Sequence, residues 1–300
     1  RTRRQRQMCI RDSINTGNNN KTFGSSTGKL HLTFALDPHG KTCINKQYSS
    51  YPFHICRPFY LDDEEAKGMA TIYTQSCSGG LYSKDHLQTV IEATPGAQAQ
   101  LTTQASTIVH RSKQTPASQA VFIRAGDRAL VEYLPDPAIL FPGSYLKSEI
   151  RVKISPTASI ALCDSFMAHD YDGTGGVFER MESLIYLSDW NGKPLVIDRI
   201  NLTGHDFISG TVGIMGSFAC HGSFITIAPS VNISSLREAY RASFSNNESI
   251  MAGVSELPNG NGLSARILAK DAVEMKKAMN SLTILSRKFV VGSEPGRRPK

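Results

Sequence analysis

The sequence predicts a mainly β fold on two observations. Apolar residues recur with a period of two in many short runs, and Gly, Pro, Asn and Asp punctuate those runs. Helix signals are confined to two stretches near the C-terminus. More than eight short strands without long intervening helices argue for an all-β body. Periodicity alone allows a sandwich, a barrel or a stacked coil of strands.

The first run is residues 29–36, where Leu30, Leu32, Phe34 and Leu36 alternate with Lys29, His31, Thr33 and Ala35. Similar runs follow at 87–93, 101–109, 129–134, 149–154, 159–163, 183–187, 193–202 and 224–228. In the clearest of them Ile150, Val152 and Ile154 alternate with Glu149, Arg151 and Lys153. Each such run reads as a strand with one buried face. Turns are expected at Thr94-Pro95-Gly96, at Pro135-Asp136-Pro137, at Pro142-Gly143 and at Asp189-Trp190-Asn191-Gly192.

Ser235 and Glu238 have capping-box spacing and open a short helix to about Ser243. Asp271 and Glu274 repeat that spacing, and Met275, Ala278, Met279, Leu282 and Leu285 form an apolar stripe. Residues 271–287 are therefore an amphipathic helix whose stripe packs on the sheet. Residues 257–262 form a loop, and Asp62-Asp63-Glu64-Glu65 reads as a solvated one. With no clean linker and no internal repeat, one continuous domain is expected.

The net charge is +7, but residues 1–12 carry +4 and residues 286–300 carry +4, which leaves the body at −1. Charge held on two tails is not the footprint of a nucleic-acid binder, which concentrates it on a folded face. No run approaches the eighteen apolar residues of a membrane-spanning helix, and no signal-like segment is visible, so the expected location is the cytoplasm. None of the six cysteines forms a CxxC pair, so reduced, mostly buried thiols are expected.

Enzyme signals are weak. Gly24 to Lys29 resembles a phosphate loop but has three residues between its glycines, lacks the Ser or Thr after the lysine, and precedes a strand. There is no G-x-S-x-G elbow. Metal-ligand candidates are His54 with Cys56, which share a face on a strand, and His169, Asp170 and Asp172 beside a Gly-rich loop. The first pair reads more readily as a half-buried strand pair, and the second group as a solvated turn.

One ordered set of motifs goes further. Gly79-Gly80-Leu81-Tyr82-Ser83-Lys84-Asp85 precedes Leu101-Thr102-Thr103-Gln104-Ala105, and the stretch 124–154 holds an alternating run, the Pro135–Pro137 corner, the Pro142-Gly143 corner and a second alternating run. This order resembles the UreD/UreH family of urease accessory proteins, from about Gly28 to Gly292. The resemblance implies a β-helix-like stack of many short strands with two short helices toward the C-terminus. It also implies a non-enzymatic maturation factor, a chaperone that binds apo-urease and a UreF–UreG complex in a hetero-oligomer. Nickel(II) would be transient cargo with no tightly bound cofactor. A β-rich scaffold that has lost the nickel route, and a hydrolase, are the alternatives.

Asp85, Glu132 and Asp136 fall on matched family positions and would line the internal nickel passage, whereas Gly79, Gly80, Thr103, Gln104, Pro135 and Pro137 would hold the fold. Two positions depart from the family pattern: Lys84 replaces a glycine, and Ala168-His169 through Gly173-Thr174 lack an Arg and a Glu. Residues 1–27 match no motif and are expected to be a disordered leader or foreign sequence; residues 28–292 form the domain and 293–300 a basic tail. Far-ultraviolet circular dichroism of the chain should show mostly strand. A helix content above about one third, the ordinary globular average, would refute the all-β reading.

Overall fold

The computed structural model describes residues 27–62, 68–112, 114–245 and 247–297. The chain enters on an antiparallel pair, β1 (Thr27–Leu36) and β2 (Thr42–Ser49), and then β3 (Phe53–Ile55). A coil of short strands follows: β4 (Ala70–Ser76), β5 (His86–Ala93), β6 (Gln98–Thr103), β7 (Thr107–Val109), β8 (Ala117–Ala125), β9 (Leu130–Leu134), β10 (Ala138–Leu140), β11 (Tyr145–Ile154), β12 (Ser159–Ala168) and β13 (Arg180–Asp189). The chain leaves through β14 (Pro194–Thr203), α1 (Gly204–Ile208), β15 (Cys220–Ile227), α2 (Ile233–Phe244), β16 (Ile250–Glu256), β17 (Gly262–Ala269) and α3 (Ala272–Val291).

The coil is a β-solenoid of about 4 turns. Strands β5, β8, β11 and β13 stack in parallel in a seven-stranded sheet A, in the order β14-β13-β11-β8-β5-β1-β2. Strands β4, β6, β9 and β12 stack in parallel in sheet B, in the order β16-β17-β15-β12-β9-β6-β4-β3. Strand β7 pairs in parallel with β10, and β10 with the end of β12, making a narrow third side. Each turn advances the register by 29 to 35 residues, as in Ala70↔Ala99, Ala117↔Leu146 and Tyr145↔Arg180. The β-helix-like stack therefore holds.

Corner chemistry explains how the chain turns so often. Ala97 N–H donates to the Thr94 carbonyl at 3.0 Å and Gly96 sits at φ 77°; Ser144 N–H donates to the Phe141 carbonyl at 3.0 Å and Gly143 sits at φ 70°. Both are turns that need a left-handed residue after the proline. Gly80 has φ 134°, and a Cβ there would lie 2.4 Å from the Ile108 carbonyl oxygen, so only glycine fits. Lys84 takes φ 71°, which explains why a glycine suits this position and makes its replacement by lysine a local strain.

Alternation breaks where both faces are covered. All eight residues of β15 are buried, because α3 packs on its outer face while the coil interior lies on the other. The late helices begin on side-chain caps: Asn232 accepts from Ser235 N–H, and Asp271 accepts from Val273 and Glu274 N–H. The α2 cap is thus Asn232, not Ser235. Helix α3 runs past residue 287 to the left-handed Gly292. The short α1, capped by Thr203, is a third helix that the two-helix expectation lacked. As expected, Met275, Ala278 and Leu282 bury the α3 stripe against sheet B.

A buried ion network fastens α3 to the coil. The Arg287 side chain is 0% exposed, and its Nε and Nη2 donate to the two Glu132 oxygens at 2.7 and 2.6 Å. Its Nη1 donates to Asp62 Oδ1 at 2.6 Å, and Gln100 Nε2 donates to Glu132 Oε2 at 2.6 Å. Gly296 N–H adds a 3.0 Å bond to Asp62 Oδ1. Burial disfavours the Arg287 charge, but the two carboxylates outweigh it and raise its pKa above the ordinary value. Asp62 is therefore not part of a solvated loop: its side chain is 3% exposed because it pairs with Arg287. Asp63, Glu64 and Glu65 lie outside the described residues, as does the leader apart from Thr27.

Removing the guanidinium strands two buried carboxylates, so Arg287→Ala should lower unfolding stability by about 3–5 kcal/mol. Arg287→Met with Glu132→Gln should recover about half of that loss in a urea titration, because the stranded charge is gone.

Candidate functional site: an interior cavity

The two sheets and the third side enclose a cavity of about 300 Å³. That is far more than the ~10–15 Å³ a single water requires. Period two aims Leu87, Thr89, Val121 and Ile150 inward from sheet A. Leu101, Tyr133 and Asp164 face them from sheet B.

Several residues singled out in the sequence converge here. Gly79, Gly80, Thr103, Gln104, Pro135 and Asp136 all line the cavity. Thr103 fixes the Pro-Asp-Pro corner: its Oγ1 accepts the Asp136 N–H at 2.8 Å. Gln104 Oε1 accepts from Gln75 Nε2 at 2.5 Å, and Gln75 Oε1 bonds His54 Nδ1 at 2.8 Å. A chain of polar side chains thus runs from the cavity rim to the exposed His54.

Other candidates lie elsewhere. Glu132 is adjacent to Tyr133, so the pleat turns it to the opposite face of β9, where Arg287 holds it. Asp85 is buried, and its Oδ2 accepts the Tyr82 N–H at 2.8 Å, closing a turn outside the cavity. Pro137 is not among the lining residues. Asp170 Oδ2 accepts from Gly175 N–H at 2.7 Å and Gly176 N–H at 3.1 Å, shaping its own loop. The His169 ring leans on Phe141 at 5.9 Å between centroids, and Asp172 is exposed. His54 is exposed, and Cys56 lies just past the end of β3. Among the described residues, no three of His, Cys, Asp and Glu come together to hold a metal ion. Among the described residues Cys43, Cys56, Cys77, Cys163 and Cys220 form no disulfide, and Cys163 and Cys220 are the buried ones.

Asp164 is the cavity residue that sequence reading missed. The run at 159–163 stops one residue short of it, although Ile160, Leu162 and Asp164 share the period-two face. Burial pushes its carboxyl above the usual range; the Ser183 hydroxyl, which donates to it, opposes this, and nearby Asp198 adds to it. Burial also raises the Tyr133 phenol, with Asp164 as the next cause. The cavity interior is thus hostile to net negative charge and would favour a cation or a proton there.

A polar seam continues from Asp164 to the end of the coil. Ser183 and Asp198 come from sheet A, and Ser223, His221 and Arg266 from sheet B. Asp198 accepts from Ser223 Oγ at 3.0 Å and pairs with Arg266. His221 stacks on Phe166 at 5.1 Å, and its Nδ1 is buried without a hydrogen bond among the described residues. Burial, reinforced by Arg266, lowers its pKa to about 4, against the pull of Asp198.

That depression has a defined sign. The unfolded imidazole takes up its proton near its ordinary pKa while the folded one refuses it, so the stability it confers is present above about pH 6.5 and lost as pH falls toward about 4. The loss should be roughly 3 kcal/mol across that window. His221→Leu should remove this part of the pH dependence, read by urea titration at several pH values.

Comparison with known proteins agrees with this architecture and with the motifs. Residues 26–299 match the model of the UreD urease accessory protein family. The urease accessory protein UreD 1 of Pseudomonas syringae pv. syringae (strain B728a) is 34% identical over 272 residues, 90% of this chain and 94% of that protein. UreD 1 of Methylorubrum extorquens (strain PA1) is 35% identical over 263 residues, 86% of this chain and 87% of its own length. UreD 1 of Bradyrhizobium sp. (strain BTAi1 / ATCC BAA-1182) is 30% identical over 261 residues, 87% of this chain and 91% of its own. A β-solenoid in which several of the motif residues meet at one cavity, matched along nearly its whole length, belongs to the UreD family of urease accessory proteins.

Proposed function

We propose that this protein is a non-enzymatic urease maturation factor of the cytoplasm that binds apo-urease and a UreF–UreG complex and passes nickel(II) through its interior. Family membership supports the role in urease maturation. The observation that carries the nickel route is the cavity, which gathers the motif residues around two carboxylates, Asp136 and Asp164.

Carboxylate oxygen is a competent ligand for a divalent ion. An ion held by one carboxylate and water at each station is held loosely, which suits cargo that must leave. Burial has already raised the proton affinity of Asp164, so a cation arriving there relieves an unfavourable charge. Beyond the lining, polar side chains continue from Asp164 through Ser183, and Asp198 with Ser223 lies toward the end of the coil. UreG would supply the GTPase of the complex.

A scaffold without a nickel route is the second reading. It is favoured by Glu132, which Arg287 occupies on both oxygens, and by Asp85, which serves a turn. Asp136→Asn and Asp164→Asn separate the two, since each keeps volume and removes charge. In cells making the other accessory proteins, each should assemble normally and lower urease activation by about tenfold, equivalent to roughly 1.4 kcal/mol. Added nickel should partly restore activity, because a weakened relay is limited by occupancy. Normal activation by both variants would favour the scaffold. Full urease activity in a strain lacking this gene would remove the maturation role itself.

A further inference from the structure

The outer face of sheet A is a broad surface, parallel from β1 to β13 and antiparallel at its two edges, that no described helix crosses. Parallel sheets are ordinarily covered on both faces, and sheet B follows that rule under α2 and α3. Sheet A does not. Its inner face is core, while its outer positions along the coil strands are half-buried or exposed, apart from the buried Ser188.

Register gives this face an organised pattern. One row crosses all seven strands: Tyr48, His31, Val90, Phe122, Arg151, Tyr186 and Ile197. Tyr48 and Ile197 at its ends are 56% and 55% exposed. Arg151 lies over the Tyr186 ring at 5.4 Å from its centroid. Aromatic residues and arginine in a central band are the composition of a protein interface core. Basic residues flank the band: Lys46, Arg124 and Lys153 on one side, Lys29 and Arg199 on the other. Across the whole face, eight Lys or Arg oppose only Glu92, Glu149 and Glu182. Those three glutamates are neutralised locally by Arg124, Arg151 and Lys147. Lys46, Lys153 and Arg199 carry no ion pair among the described residues.

Size agrees with a stable interface. Six strand spacings of about 4.8 Å by eight to ten residues of about 3.3 Å give roughly 760–950 Å², close to the roughly 800 Å² per partner of a standard complex. The excess positive charge sets a second copy of this chain against the face, and the basic residues 1–12 as well. It selects an acidic partner.

We infer that the outer face of sheet A is the docking surface for an acidic, folded protein surface, and that this surface belongs to apo-urease. The choice of urease rests on the maturation reading, since urease is the one protein that the relatives' shared name attaches to this fold. A broad sheet face suits a folded client better than an extended segment, which docks on a sheet edge or in a groove.

The test uses the full chain, purified apo-urease and UreF–UreG. Tyr186→Ala with Lys153→Glu and Arg199→Glu removes one anchor and reverses two unpaired charges. The variant should bind apo-urease at least about tenfold more weakly, and the wild-type affinity should fall with added salt. Binding of UreF–UreG should stay within about twofold. If the triple variant proves unstable by thermal melt, Arg199→Glu alone, on the exposed edge strand, should still show reduced affinity. A folded variant that binds apo-urease normally overturns the inference. So does loss of UreF–UreG or oligonucleotide binding with urease binding intact. Failure of the wild-type chain to bind apo-urease at all would instead sink the maturation reading, a distinguishable outcome.

Discussion

Parallel pairing at a nearly constant advance of 29 to 35 residues per turn is the constraint on which the rest of the molecule depends. Because each strand lies in register on the one a turn earlier, the strands of the stack pair backbone to backbone without a helix between them. The same spacing places side chains in columns. Thr102 Oγ1 bonds the Leu134 carbonyl and Gln119 bonds Ser148, each one turn away. A residue's chemistry is thus set by what stands above and below it, and only secondarily by its neighbours in sequence.

The cavity follows from that regularity. Three sides of unequal width meet at tight corners, and the corners are made by residues that can turn sharply: Gly80, Gly143 and the prolines of the 135–137 segment. Where the narrow third side meets the two sheets the side chains leave a gap, lined by apolar residues such as Leu87, Leu101 and Val121 together with polar ones such as Thr103 and Asp136. Structural corners and candidate function therefore share residues. A substitution at Thr103, for example, disturbs both the anchor of the Asp136 backbone and the cavity wall.

A stacked coil has open ends and one exposed side, and the molecule treats these differently. The C-terminal strands and helices cover sheet B, and Arg287 welds α3 to it through Glu132 and Asp62. A buried ion pair of this kind gains little over an apolar contact, but it tolerates few alternative positions for the helix. The seam around Asp198 joins the last strands of the two sheets by polar contacts instead. The outer face of sheet A is left without cover.

What the sequence by itself determined was local. Alternation located nine of the strand segments, and turn residues marked the corners; Asp271 marked the start of α3, because these signals depend on spacing along one strand or helix. Short strands such as β3 and β10 escaped, since three residues show no period, and the run at 224–228 caught only the second half of the fully buried β15, where double burial erases alternation. The site divided in the same way. Asp136 was legible from its corner, whereas Asp164 needed the fold to bring β12 opposite sheet A. Glu132 shows the limit most plainly. Its neighbours in sequence give no hint of Arg287, which is 155 positions away. Tertiary structure alone decided that this carboxylate meets a guanidinium, because the pleat aims it away from the cavity and the C-terminal helix returns to cover it.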